Sequence, residues 1–206
     1  MIVTALRETR AGIAVELDGK RWRTLPVAAV GEAGLRVGLE LDRERIRALA
    51  RARRRLRAEE VVVRALARRE HSRASLDARL ARAGVSAQAR RDVLERGERS
   101  GLVDDARYAE RRARHLADRG AGDRLVVDDL ARHGITGDVA RDAVARLEPE
   151  AERAARIMAV RGANSRTIRY LASRGFAEES VEALIAEVEG ARYHEQRFIR
   201  TFPAYV

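Results

Sequence analysis

The 206-residue chain is 46% hydrophobic and 36% charged, with 4% aromatic residues and no cysteine. It is too apolar for a disordered chain and too charged for one deep globular core, and it excludes a disulfide framework or a thiolate metal site. The formal net charge of +10 is uneven: residues 1–103 carry 24 basic and 14 acidic side chains, residues 104–206 carry 18 of each. Of the basic residues only Lys20 is lysine, and the densest stretch, Arg43 to Ala58, sets eight arginines against Glu44 alone. Such a stripe attracts phosphate backbones or an acidic protein surface, and as a bare charge run it fits a solvated helix equally well. The longest apolar runs, such as Leu25 to Val30, are too short to span a bilayer, and the chain reaches Arg7, Glu8 and Arg10 without an apolar stretch. A cytoplasmic protein without a membrane partner is expected.

In chain order, Ile2–Leu6, Ile13–Leu17 and Arg21–Leu25 alternate apolar and polar residues, punctuated by Gly12, Gly19 and Pro26. They predict two or three short strands, with Leu39 and Leu41 as a further extended piece. A hairpin this small must pack on something helical, and Trp22 is assigned to that packing. Asp42 caps a predicted helix carrying Ile46, Leu49 and Leu56 among its arginines.

An internal repeat begins after Ala58. Leu80, Leu130 and Leu171 each stand four residues before a glycine, Gly84, Gly134 and Gly175, and each glycine precedes an apolar residue, Val85, Ile135 or Phe176. Four residues before each leucine lies Leu76, Val126 or Thr167; nine after each glycine comes Val93-Leu94, Ala143-Val144 or Leu184-Ile185. The pattern describes one helix buried through positions four apart, a glycine stop, and a second helix presenting an apolar pair. A preceding helix, at about 59–69, 105–119 and 149–161, completes each unit, with Asp104 and Pro149 as start signals. The fold class expected is mainly all-α: three tandem three-helix repeats in an elongated curved array, behind a small extension containing a β-hairpin. The predicted divisions are 1–57 for that extension and its basic helix, 58–103, 104–147 and 148–190 for the repeats, and 191–206 for the tail. Tyr193, Phe198, Phe202 and Tyr205 crowd that tail, which is expected to pack back on the third repeat.

No catalytic constellation emerges. Gly120-Ala121-Gly122 is too short for a phosphate loop and no Gly-Lys-Ser or Gly-Lys-Thr follows. Asp104-Asp105 and Asp128-Asp129 are read as a helix cap and surface residues. His71 is placed in a loop beside a cap, and His133 at a helix C-terminus, where positive charge is favoured. The four histidines share no helix at ligand spacing, so neither a metal nor a cofactor is expected.

Several strings are recognisable together. Arg69-Glu70-His71-Ser72-Arg73 followed by Leu76, Leu80 and Gly84 resembles the first-repeat signature of the RecX family. Gly101-Leu102-Val103-Asp104-Asp105 with Tyr108-Ala109, then Gly120-Ala121-Gly122 and Leu130-Ala131-Arg132-His133-Gly134-Ile135, is similar to its second repeat, and Ser173-Arg174-Gly175-Phe176 to its third. The resemblance covers roughly residues 59–189. It departs at Asp123, where the family often has proline, and the first 57 residues lie outside the shared core, like the strand-containing extension of some members. It implies a regulator and not an enzyme: a protein that lies in the groove of RecA recombinase filaments on DNA and suppresses ATP hydrolysis, strand exchange and coprotease activity, restraining recombination and the SOS response. A monomer is expected, with single- or double-stranded DNA as a further partner. The candidate contacts, as a cluster, are Arg51, Arg54, Arg55, Arg69, Arg73 and Arg79; replacing the first three by glutamate is expected to leave folding nearly intact. The alternative is a helical protein acting directly on nucleic acid, against which no helix shows the mix of Asn, Gln and Arg that reads bases.

Overall fold

The computed structural model describes residues 1–182. They form two compact units, one of residues 1–103 and one that begins at Asp104. The first opens with strands β1 (Val3–Thr9), β2 (Gly12–Leu17) and β3 (Lys20–Leu25), an antiparallel sheet in that order. Leu17 pairs with Lys20, so Asp18-Gly19 is a two-residue hairpin turn, both residues having positive φ as a primed turn requires. Period-two alternation puts Ile13, Val15 and Leu17 on the covered face, where they meet Val3, Leu25, Leu35 and Leu41. The expected extended piece is present: Ile2 bridges Glu40, and Leu41 N–H donates to Met1 O at 2.7 Å. Trp22 packs at the edge of this core beneath the Arg23 guanidinium, 4.3 Å from the ring centre. Helix α1 (Val27–Glu32), not foreseen, follows Pro26 and buries Ala29.

Helix α2 runs unbroken from Arg43 to Leu66, with Asp42 accepting from Arg45 N–H at 2.7 Å. The separate helix expected at about 59–69 is thus the C-terminal half of α2. No glycine or proline lies between Arg43 and Leu66, so nothing ends the helix. Leu49 enters the core of the strands, while Ala58, Val62 and Ala65 enter that of the first repeat with α3 (Arg73–Arg82) and α4 (Ala87–Arg99).

The second unit holds α5 (Asp105–Asp118), α6 (Asp123–Arg132), α7 (Gly137–Ala145), α8 (Glu150–Arg161) and α9 (Ser165–Ser173); helical backbone resumes at Glu178 and continues to the last described residue. The leucine–glycine–apolar signature is one cap made three times. Gly84, Gly134 and Gly175 have φ of 74°, 77° and 80°, and the N–H of Val85, Ile135 and Phe176 returns to the carbonyl of Leu80, Leu130 and Leu171 at 3.1, 3.0 and 3.2 Å. This is the six-to-one bond of a Schellman motif, with the residue after the glycine folded onto the helix it ends. The fold is mainly helical, with helical repeats behind a three-stranded sheet. The paired leucine and isoleucine of the third repeat and the aromatic tail lie outside the described residues.

Repeats two and three are fastened through their own backbones. Gly122 N–H donates to Arg174 O at 2.9 Å and Arg124 N–H to Gly175 O at 3.2 Å. Glu150 accepts from Asp123 N–H at 2.7 Å and from Ala177 N–H at 3.0 Å, so one carboxylate serves the starts of α6 and of the last helix. Arg174 donates to the carbonyls of Gly120 and Arg119, closing the exposed end of α5. The Gly120-Ala121-Gly122 string is an inter-repeat joint.

Candidate functional site

The densest basic stretch lies on α2. Arg51 and Arg54 are exposed, and neither makes an ion pair among the described residues. Arg55 differs: it is half-buried and holds Glu32 of α1 and Glu59 one turn onward. The two carboxylates raise its already high pKa, the Glu32 hydrogen bond contributing most. Arg55 therefore clasps α1 to α2, so its charge reversal is expected to disturb that packing. Arg51 and Arg54 are the two that can be changed without touching the fold.

The other three candidates stand apart from these. Arg69 is exposed in the turn between α2 and α3. Arg73 opens α3 and pairs with Glu98 of α4, Nε to Oε1 at 2.7 Å. Arg79 is half-buried on α3, and its Nε is covered without a hydrogen-bond partner. Of the six, Arg51, Arg54 and Arg55 share a concavity, a cavity of about 390 Å³ where the N-terminal half of α2 faces the start of α4.

Sequence reasoning missed the member that completes this concavity. Arg96 of α4 reaches it from the far side, with Nη2 3.3 Å from Glu59 Oε1 and with both Nε and Nη2 covered and lacking a hydrogen-bond acceptor. Further along the same α2–α4 seam a second cavity of about 540 Å³ is lined by Val62, Val63, Val93 and Leu102, with Arg99 at its rim. Val63 and Leu102 are 56% and 46% exposed. They are two of several exposed apolar side chains, and nothing in the sequence marks them as neighbours.

The second unit corrects one reading. Asp129, taken for a surface residue, is buried; Arg112 grips it through Nε and Nη2 at 2.7 and 2.9 Å, and Arg132 stands 3.6 Å away. His133 caps α6 as expected, its Nδ1 2.8 Å from Asp129 O. The Arg112 hydrogen bonds hold the Asp129 carboxyl below the usual carboxylate range against the opposing effect of burial. The stabilisation is therefore full above the unfolded carboxylate range, about pH 4, and is lost as pH falls through the lower folded value. Asp129→Asn is expected to lower stability by roughly 1.5–3 kcal/mol at pH 7. Urea titrations at falling pH should show the deficit shrinking below about pH 4; a pH-independent deficit would assign the loss to packing. His71, also buried, has its pKa lowered by that burial and by Arg69 and Arg79, and its Nδ1 lies 3.0 Å from Ser75 Oγ. Among the described residues no group of three or more His, Asp or Glu is placed to hold a metal ion, and no helix is long and apolar enough to cross a membrane.

No family model matches the chain. Among curated proteins it is 35% identical over 133 residues to a regulatory protein RecX of Chromohalobacter salexigens, spanning 60% of this chain and 88% of that one. It is 31% identical over 140 residues to the regulatory protein RecX of Halorhodospira halophila, spanning 63% and 87%. Among solved structures it is similar to a crystal structure of a regulatory protein RecX, with a TM-score of 0.74 at 20% identity over 90% of this chain and 98% of that one. A RecX from Lactobacillus salivarius gives 0.59 at 16% identity over 66% and 97%.

Proposed function

The chain belongs to the RecX family, and from that premise we propose that it is a cytoplasmic regulator, not an enzyme, that binds RecA filaments on DNA as a monomer and inhibits RecA's ATPase, strand exchange and coprotease activities. The observation that carries the reading is the likeness to two curated regulatory proteins across nearly nine-tenths of their length. The geometry supports it with two exposed cations, Arg51 and Arg54, held on an unbroken helix with no ion pair among the described residues. Inhibition is steric and conformational. A chain bridging neighbouring RecA protomers binds one filament geometry better than others and so opposes growth and nucleotide turnover.

RecA's DNA-dependent ATPase, titrated with this protein, tests the reading. Arg51→Glu with Arg54→Glu is expected to leave the thermal midpoint unchanged, because exposed charges contribute little to stability. It should raise the concentration needed for half-inhibition roughly tenfold at low salt, with a smaller effect as salt screens the field. A folded double variant as potent as wild type at low salt would remove the α2 arginines from the contact. The competing reading, direct action on nucleic acid, is decided by comparing bare with RecA-coated single-stranded DNA across a salt series. Equal, steeply salt-dependent binding to both would favour it.

A further inference from the structure

The two cavities on the α2–α4 seam are successive stretches of one groove. The basic one faces residues 51–55 of α2, Ser86 and residues 88–96 of α4; the apolar one faces residues 59–63 and 93–102, with Glu59 and Arg96 at their junction. Five arginines (Arg51, Arg54, Arg55, Arg96 and Arg99) line the groove against two carboxylates, Glu59 and Asp92. Both carboxylates are already engaged, Glu59 by Arg55 and Asp92 by Gln88, whose Nε2 donates at 2.7 Å. A net positive slot therefore opens directly onto a slot of exposed aliphatic carbon.

We infer that this groove on the first repeat is a docking site for an acidic peptide segment carrying an aliphatic anchor: carboxylates over Arg51, Arg54 and Arg96, and a leucine-like side chain between Val63, Val93 and Leu102. Charge complementarity selects the acidic end, and the guanidinium fork suits a carboxylate. Three features select a peptide over a nucleic acid strand. No aromatic residue lines either cavity, so no base can stack. Glu59 and Asp92 interrupt the positive surface, which favours discrete carboxylates over a continuous polyanion. The aliphatic slot has no use for a sugar–phosphate chain, whereas it buries a leucine as interface anchors are buried. The distance sets the spacing. Arg51 to Val63 is twelve residues of helix, about 18 Å, which an extended peptide spans in about five to six residues.

The inference rests on the groove and not on the RecA reading, and its test contains no RecA. The probes are the fluorescein-labelled octapeptide DEDGSGLL and its reversed sequence, since either chain direction satisfies the groove, with DEDGSGSS as control and a labelled oligothymidylate of equal charge. Fluorescence polarisation with the full chain is expected to show saturable binding of at least one leucine-containing peptide. Binding should weaken about tenfold with Val63→Ser plus Leu102→Ser, with Arg51→Gln plus Arg54→Gln, and with the serine control. Val63 and Leu102 are exposed, so thermal midpoints should hold in both variants. Four outcomes overturn the inference: no saturable peptide binding, binding indifferent to the Val63 and Leu102 changes, oligothymidylate binding that depends on those same changes, or self-association in sedimentation that Leu102→Ser abolishes. The last would give the groove to a second copy of the chain.

Discussion

Gly122→Ala is expected to part the third repeat from the second while leaving each helix intact. Gly122 has an ordinary φ of −79°, so alanine brings no backbone strain there. The obstacle is the chain opposite: a Cβ would fall inside the contact radii of the Phe176 nitrogen and the Gly175 carbonyl. Both are backbone atoms, fixed by Gly122 N–H to Arg174 O and Arg124 N–H to Gly175 O, and cannot rotate aside as a flexible side chain would. Overpacking of this kind costs about 1–3 kcal/mol and more where backbone must move. A matched pair of glycines isolates the effect. Gly84 and Gly175 end their helices with nearly the same φ, 74° and 80°, so alanine imposes the same left-handed strain, about 1–2 kcal/mol, on each. Around Gly84 the space is open, whereas a Cβ on Gly175 would lie 2.6 Å from Leu125 N and 2.8 Å from Leu125 Cβ. Chemical denaturation should therefore rank Gly175→Ala well below Gly84→Ala. Hydrogen exchange in Gly122→Ala should accelerate at residues 122–124 and 174–177 before the rest of unit two. Equal losses at Gly84 and Gly175 would show that the joint carries no packing energy.

Which features were legible follows from how local their physics is. The Schellman caps were, because one residue must take positive φ and the leucine four before it must be buried; both demands fall within six residues and recur three times. The sheet was legible from alternation and from glycines at its turns. Helix α1 was not. Six residues holding Val27, Val30 and Gly31 are poor helix formers, and the segment is helical because Pro26 starts it and Ala29 is buried by neighbours. The continuity of α2 was legible only as an absence, the lack of any breaker after Arg43. Asp129 and Asp128 look alike in sequence, yet one is buried on Arg112, seventeen residues earlier, and the other exposed. The α2–α4 groove was half legible. Its arginines announced themselves by density, but Arg96 and the Val63–Leu102 slot belong to it only through the crossing of two helices.

Arg153 shows the same non-locality at its largest cost. Its side chain is 6% exposed, yet it carries a full charge at the start of the third repeat. Nη1 donates to Ala121 O at 2.7 Å, Nε to Glu148 O at 2.9 Å, and Nη2 to the Asp123 carboxylate. One guanidinium thus satisfies two carbonyls and one charge drawn from the turn between α5 and α6, the turn before α8 and the start of α6. Asp123 still has its pKa raised, because its own burial outweighs the attraction of Arg153. Arg153→Met keeps most of the volume and removes every one of these bonds, leaving the half-buried Asp123 carboxylate without its cation. The expected loss is about 1.5–3 kcal/mol at neutral pH, the usual size for hydrogen bonds lost from a charged group, because the carboxylate left behind is still reached by solvent. The sign with pH follows: with Arg153 gone, Asp123 titrates higher still, so the folded variant holds its proton more tightly than the unfolded chain, and the loss should ease as pH falls toward that value. Asp123→Asn in the Arg153→Met background removes the stranded charge and should restore about 1–2 kcal/mol, a coupling within the range seen for contacting residues. Urea unfolding of the two singles and the double at pH 7 closes the cycle. Strict additivity would mean that Arg153 stabilises through the Ala121 and Glu148 carbonyls alone, and that the Asp123 pair contributes nothing to the joint.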